Sequence, residues 1–386
     1  MNGNAEKPIK DRSWRDDEFA TCEVQSQWTF GLFFFGIVGV LMAHYFVSIH
    51  RAKSNGQNQV IVYAAQDQVY AEPILRAFEK ETGIKVKAVY DSEAVKTVGL
   101  ANRLLAERGH PQCDVFWGNE EMRTRQLAAS RNGGIFRETN GWAGFGYRSR
   151  RVVINTNFVQ SVVSRQLSVA RATDHGLLTA GKLQPPRLLL ELTNAQWRGK
   201  IALAFPQFGT TATHFHALKQ HWGEAAWLAW CRALAANQPF IVDGNSVVVK
   251  FVGRGEAWIG LTDSDDIAAG QREGLPIEAL PLSEESLLIP NTVGVIRNAP
   301  HPANAQKLFD YLQRREVVEK LVQANALESA DSPEGRVTQA PESTIGADVR
   351  DSHGSSLRQK TLRPDWDTLL GDLETTTKHL NEIFLR

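Results

Sequence analysis

Cysteine is scarce in this chain, and net charge is absent. Cys22, Cys113 and Cys231 are odd in number and show no metal-ligand spacing, which excludes a disulfide framework and a two-cysteine metal knuckle. Cys113 opens an apolar run and Cys231 lies in a tryptophan-rich stretch, so both read as core thiols rather than a disulfide pair. Lys plus Arg and Asp plus Glu each number 43, so the formal net charge is zero. A nucleic-acid partner would need a basic face, and this balance argues against one. No Ser/His/Asp or Cys/His set stands in recognisable context, and no phosphate-loop lysine motif occurs. His214, His216 and His221 cluster without the i, i+4 spacing of metal-binding helical histidines, so they read as helix surface or core.

What is present is ordinary globular material with one long apolar run. The 386 residues are 22% charged and 42% hydrophobic, and that length favours two lobes over one core. Trp28 to Ile49 is 22 residues long and holds one basic residue, His44. As a helix it crosses a bilayer core of about 30 Å. Export signals have shorter apolar regions, roughly 7–15 residues, and a small-x-small cleavage site. No such site follows Met42. Residues 28–50 therefore read as an uncleaved anchor, with a cleaved export signal as the alternative. Lys7, Lys10, Arg12 and Arg15 keep residues 1–27 on the cytoplasmic side. Residues 51–58 are then a tether, and the remainder lies outside the cytoplasmic membrane, periplasmic or otherwise extracytoplasmic.

Beyond the tether, apolar strands alternate with helical spacing. Val60–Tyr63, Val86–Tyr90 and Asp114–Trp117 are strands, and helices follow the polar tips at Ala64–Gln68 and Gly118–Glu121. This alternation predicts an α/β fold with a parallel sheet. Residues 59–148 form a first lobe, 149–285 a second, and part of 286–315 returns to the first. Gly144–Thr156 is a long strand able to cross between them, and 157–187 is an inserted segment without clear periodicity. Further strands are expected at Lys200–Ala204, Pro239–Val242 and Ala257–Thr262, with a strand pair within Ser286–Ile296. Single helices are expected over Thr210–Ala235, Pro302–Asn325 and Asp365–Phe384. Residues 316–386 are C-terminal helices with a polar, partly disordered stretch over 329–359.

Ligands in such sheets sit beyond the carboxyl ends of the strands. Gly209, Thr210 and Thr211 precede a helix there. Free backbone N–H groups and the helix dipole suit phosphate, carboxylate or carbonate, although a plain N-cap explains the same residues. Arg150, alone or with Arg148, can fork two donors to an oxyanion, or else lie in solvent at a strand edge. Asn245 and Ser246 open another helix, where capping alone is the simpler reading. Asp263, Asp265 and Asp266 are three carboxylates in four residues. Such a group needs a cation, a ligand amine or a helix start; one of them capping the next helix is the plainer account. With Asp67 and Asn119 they offer oxygen ligands for a hard cation, and Asp67, Asn119 and Asp265 are the candidate metal set.

The run Val60–Gln126, together with Gly209–His214, Val242–Ser246, Thr262–Asp266 and Ile289–Val293, resembles bacterial extracellular solute-binding proteins. The branch is the ferric-iron type that serves ATP-driven importers. The resemblance covers roughly Val60 to Glu319 and the region around Trp366. It implies the type 2 periplasmic-binding-protein fold, two lobes joined by crossing strands that close on a ligand like a hinged clamp. It also implies a monomer working with a permease and an ATPase. Ferric members hold an anion beside the metal; Arg150 matches their arginine and Gly209–Thr211 their helix start. Where they place a histidine, this chain has Asp67. Where they place a glutamate it has Asn119, with Glu120 adjacent. Ser264 and Asp265 stand at their tyrosine pair, so the phenolates are missing. The implied cargo is Fe(III) with a bound anion, or a small anionic or zwitterionic solute, and no resident cofactor is implied. A membrane-anchored sensing ectodomain and an enzyme on the same fold are the rival readings.

Overall fold

Strand β1 (Gln59–Ala64) pairs in parallel with β2 (Lys85–Tyr90) on one side and β3 (Val115–Gly118) on the other. Helices α1 (Gln68–Thr82) and α3 (Glu121–Ala128) follow the polar tips as expected, and α2 (Lys96–Ala106) lies between β2 and β3 in the chain. The computed structural model describes residues 58–90, 96–129, 134–139, 141–161, 182–331 and 361–385. Cys22, the Trp28–Ile49 run, most of 157–187 and most of 329–359 lie outside these residues. Among the described residues no helix is long and apolar enough to cross a membrane.

Strand β4 (Trp142–Asn155) is 14 residues long and carries the chain from one hydrophobic core to another. Its start, Trp142, Ala143 and Phe145, packs with Val62, Phe78 and Trp117 in the first core. Its end, Val153 and Ile154, belongs to the second lobe. Then come β5 (Ile201–Ala204), α4 (Gly209–Trp222), α5 (Glu224–Ala236), β6 (Phe240–Val242), α6 (Asn245–Arg254), β7 (Ile259–Asp263), α7 (Ser264–Arg272), β8 (Ile277–Ala279) and β9 (Leu288–Val295). The sheet order is β2-β1-β3-β9-β4-β7-β5-β6, with β8 also on β4. In the second lobe Trp197, Phe215, Trp227 and Trp230 fill one face of the sheet, and Val248, Val252 and Ile267 fill the other.

The structure corrects four element boundaries. Thr210–Ala235 is two helices, because Gly223 at φ +78° and an extended ψ ends α4 and starts α5. Ser286–Ile296 holds one strand rather than a pair. Pro290 stays inside β9 because it lies opposite a bulge of β4, where the register shifts between Phe145 and Tyr147. Pro302–Asn325 divides into α8 (Pro302–Leu312) and α9 (Arg315–Gln323) at the extended Arg314, whose side chain is held by Glu81 at 2.6 Å. Asp365–Phe384 divides into α10 (Trp366–Gly371) and α11 (Leu373–Phe384) at Asp372, which accepts from Lys219 Nζ at 3.3 Å. The three helix misreadings each joined two helical stretches across a joint of one or two residues.

Candidate functional site

The antiparallel register of β4 on β7 sets Arg150 directly opposite Asp263. Both side chains are buried, and Arg150 Nη1 lies 2.8 Å from Asp263 Oδ1. The other carboxylate oxygen, Oδ2, accepts from Thr210 Oγ1 at 2.8 Å, Asn245 Nδ2 at 3.1 Å and Arg148 Nε at 3.3 Å. Arg150 Nη1 also donates to Asn245 Oδ1 at 2.8 Å. Thr211 Oγ1 lies 3.3 Å from that same oxygen. One carboxylate thus gathers two guanidiniums and the first turns of α4 and α6, while its own residue precedes α7. None of these three helices has a side-chain cap, so neither the threonines nor the aspartates serve the capping role that the sequence also allowed. Burial would raise the Asp263 pKa, but Arg150, Arg148 and the hydroxyl of Thr210 hold it below the usual carboxylate range.

Arg148 is the point where the lobes meet electrically. Its Nε lies 3.4 Å from Asp265 Oδ1, and its Nη1 donates to Asn291 Oδ1 of β9 at 3.2 Å. Asn291 in turn donates to Gln66 Oε1 at 3.0 Å, beside Asp67 at the start of α1. Burial alone would lower the Arg148 pKa, yet the carboxylates of Asp265, Asp263, Asp67 and Asp266 together raise it. Four aspartates from both lobes therefore act on one guanidinium. Asp263, Asp265 and Asp266 bring carboxylate oxygens within 4.8 Å of one another, an arrangement able to hold a metal ion. Asn119 is buried just before α3.

The anion-binding arginines and the aspartate cluster, read separately in the sequence, are direct neighbours in the fold. Arg148, Arg150, Asp263 and Asp265 stand on the adjacent elements β4, β7 and α7 and pair with one another at contact distance. A periodicity reading assigns faces to residues but cannot see that register pairs Arg150 with Asp263. Other assignments also change. Glu120 is fully buried and saturated: Oε1 caps α3 by accepting from Arg123 N at 3.0 Å, and Oε2 accepts from Thr213 Oγ1 of α4 at 3.0 Å. It ties the lobes together instead of facing a ligand, and burial raises its pKa. Ser264 Oγ accepts from Ser149 N at 3.2 Å. Ser246 is half-buried in the first turn of α6, and Gly209 adopts φ +53° where α4 begins. Gln66, Asn291 and Thr213 carry roles that the sequence reading missed. Only an isolated amide in the apolar strand after Pro290 hinted at one of them.

His214 and His216 are buried within α4. Burial, followed by Arg150 for His214 and Arg123 for His216, pushes both pKa values down to about 3. Cys113 and Cys231 are free, buried thiols whose pKa burial pushes up.

Residues 59–324 match the sequence profile of the bacterial extracellular solute-binding proteins. The chain belongs to that family. The resemblance read from its residues is therefore borne out. A Fe(3+)-binding periplasmic protein of Serratia marcescens is 26% identical over 241 residues, which is 58% of this chain and 63% of that protein. The chain thus spans less than two thirds of this curated relative. Iron-bound HitA from Pseudomonas aeruginosa is similar in structure, with a TM-score of 0.63 at 17% identity over 84% of this chain and 99% of HitA. AfuA from Actinobacillus pleuropneumoniae, solved with exogenous fructose-6-phosphate, gives 0.61 at 18% identity over 84% and 97% of the two chains. At these identities the solved structures establish a shared periplasmic-binding-protein-like α/β fold.

Proposed function

We propose that this solute-binding protein is the cargo-capturing component of an ABC-type importer. It works as a monomer outside the cytoplasmic membrane, closes its lobes on a cation and passes that cation unchanged to a permease and an ATPase. Ferric ion is the cargo favoured by the Serratia relative and by HitA. The observation that carries the reading is the position of the Asp263 carboxylate. It engages Nη1 of Arg150, the Thr210 hydroxyl and the Asn245 amide, three donors that would otherwise be open to a dissolved anion. Four carboxylates act on Arg148, and Arg150 shares one of them, so the junction holds more acidic than basic groups and suits a cation. Asp265 and Asp67, with Asn119, are hard oxygen donors of the kind that suits such an ion. Asp263 serves as the built-in counter-anion, with both of its oxygens engaged by Arg150, Thr210 and Asn245.

A phosphorylated solute is the second reading. The uncapped start of α4 and the sugar phosphate in AfuA favour it. The full-length chain, stripped of metal, decides between the two in parallel calorimetric titrations with ferric nitrilotriacetate and with fructose 6-phosphate. The expected result is one ferric ion per chain, with affinity at least about tenfold lower in Asp265→Asn, and silence in the phosphate arm. Uptake of the phosphate ester without ferric capture would sink the cation reading. Turnover of the ester would point to an enzyme.

A further inference from the structure

A small apolar cluster stands apart from the cores of both lobes. Met122 of α3, Ala212 of α4 and Leu369 of α10 are buried together, with Trp366, Leu370 and Leu373 packed against them. The three buried residues come from the first lobe, the second lobe and the C-terminal helices. Ala212 is next to Thr213 in the chain and Met122 is close to Glu120, the pair that bonds across the lobes at 3.0 Å.

Helix α10 is fastened to the second lobe at both ends. At its start the Gln220 side chain of α4 donates to the Asp365 carbonyl oxygen at 2.8 Å and accepts from the Asp365 amide at 3.0 Å. Past its end Lys219 of α4 reaches Asp372 at 3.3 Å and Thr376 at 3.1 Å. Helix α11 continues over α4 and α5, where Leu380 joins the second-lobe core and Phe384 meets Phe215 edge-on at 6.0 Å. Between these anchors α10 leans on the first lobe. The Trp366 ring lies 5.1 Å from the Arg125 guanidinium of α3, which also stands 5.4 Å from the Trp142 ring at the start of β4. Leu369 packs with Met122 of the same helix α3.

We propose that α10 is a clasp: carried by the second lobe, it grips α3 of the first and holds the two lobes together. Parting α3 from α4 would expose the Met122–Ala212–Leu369 cluster to water and draw Trp366 away from Arg125, and both changes are unfavourable. The clasp therefore raises the fraction of chains already closed when cargo arrives. Apparent affinity scales with that fraction, so residues remote from the aspartates help to set how tightly cargo is held. The inference concerns the lobes and does not depend on which cargo the aspartates hold.

The test uses the full-length, metal-free chain carrying Cys22→Ser, with spin labels at Lys80→Cys in the first lobe and Glu273→Cys in the second, both exposed positions. Cys113 and Cys231 are buried and stay unlabelled. Trp366→Ala is expected to lengthen and broaden the distance between the labels. Trp366→Phe, which keeps a ring for Arg125, should restore part of the shorter population. Arg125→Met loosens the same contact from the first lobe and serves if the tryptophan variant does not fold. In ferric titrations Trp366→Ala should bind about fivefold more weakly at unchanged stoichiometry, the worth of one cation–π contact. Should the wild type take up no ferric ion, the cation reading fails and the label distances still decide the clasp. Equal distances in wild type and Trp366→Ala overturn the proposal. So does weaker ferric capture without any change in distance, which would make Trp366 part of the fold only.

Discussion

Asp263→Ala is expected to lower the unfolding free energy by about 3–5 kcal/mol, the usual consequence of removing one partner from a buried ion pair. The reason lies in what remains. Arg150 is fully buried, and Arg148 nearly so. With Asp263 gone, Arg150 keeps only the neutral oxygens of Asn245 and Thr210, and a buried cation without a counter-charge is costly. Thr210 and Asn245 lose their acceptor as well. The same substitution opens a small space lined by guanidinium, hydroxyl and amide donors, which is a carboxylate-shaped vacancy. Formate should therefore restore part of the loss by binding the folded state alone. Urea denaturation of wild type and variant, with and without formate, reads both effects. A variant within about 1 kcal/mol of wild type would show that Asp263 does not neutralise the arginines, since isolated surface pairs are worth no more than that.

The second large effect is expected at Gly146. This residue sits at φ +54° in the bulge of β4, just before the arginines, and its position decides how the strand bends into the second lobe. A Cβ there would meet Leu327 Cδ1 at 2.6 Å, the Ser329 carbonyl oxygen at 2.8 Å and Val318 Cγ1 at 2.9 Å. The leucine can give way, but the carbonyl is backbone, held by the Tyr147 amide at 3.0 Å. Left-handed backbone for a residue with a Cβ costs about 1–2 kcal/mol and overpacking about 1–3 kcal/mol. Gly146→Ala should thus destabilise by roughly 2–5 kcal/mol and weaken cargo binding through displacement of Arg148 and Arg150. Denaturation and a ferric titration of the same variant check both. A cost below about 0.5 kcal/mol, the range of an ordinary surface change, would mean that the bulge does not need glycine.

Much of this architecture can be read from local pattern. Val60–Tyr63 and Asp114–Trp117 are short apolar runs with polar tips, and period and tip together predict a parallel strand followed by a helix. Gly209 and Asn245 likewise mark helix starts at strand ends. What local pattern cannot carry is the pairing of residues far apart in sequence. Arg150 and Asp263 are separated by 113 positions, and only the register of β4 on β7 brings them to 2.8 Å. Glu120 and Thr213 are 93 apart and meet across the lobes. The residue types were therefore legible as site candidates, while their pairing with one another was not. The helix joints failed for a related reason. Arg314 and Asp372 are ordinary helix formers or cap residues, and their side chains meet Glu81 and Lys219, partners far away in sequence.

Central to the account is an aspartate that supplies from within the chain the counter-anion for two buried arginines. Ferric capture by the metal-stripped chain, titrated once in buffer free of phosphate and carbonate and once with either added, tests it most directly. The expected outcome is the same stoichiometry and the same affinity in every buffer. Capture that appears only when a dissolved anion is supplied would contradict it.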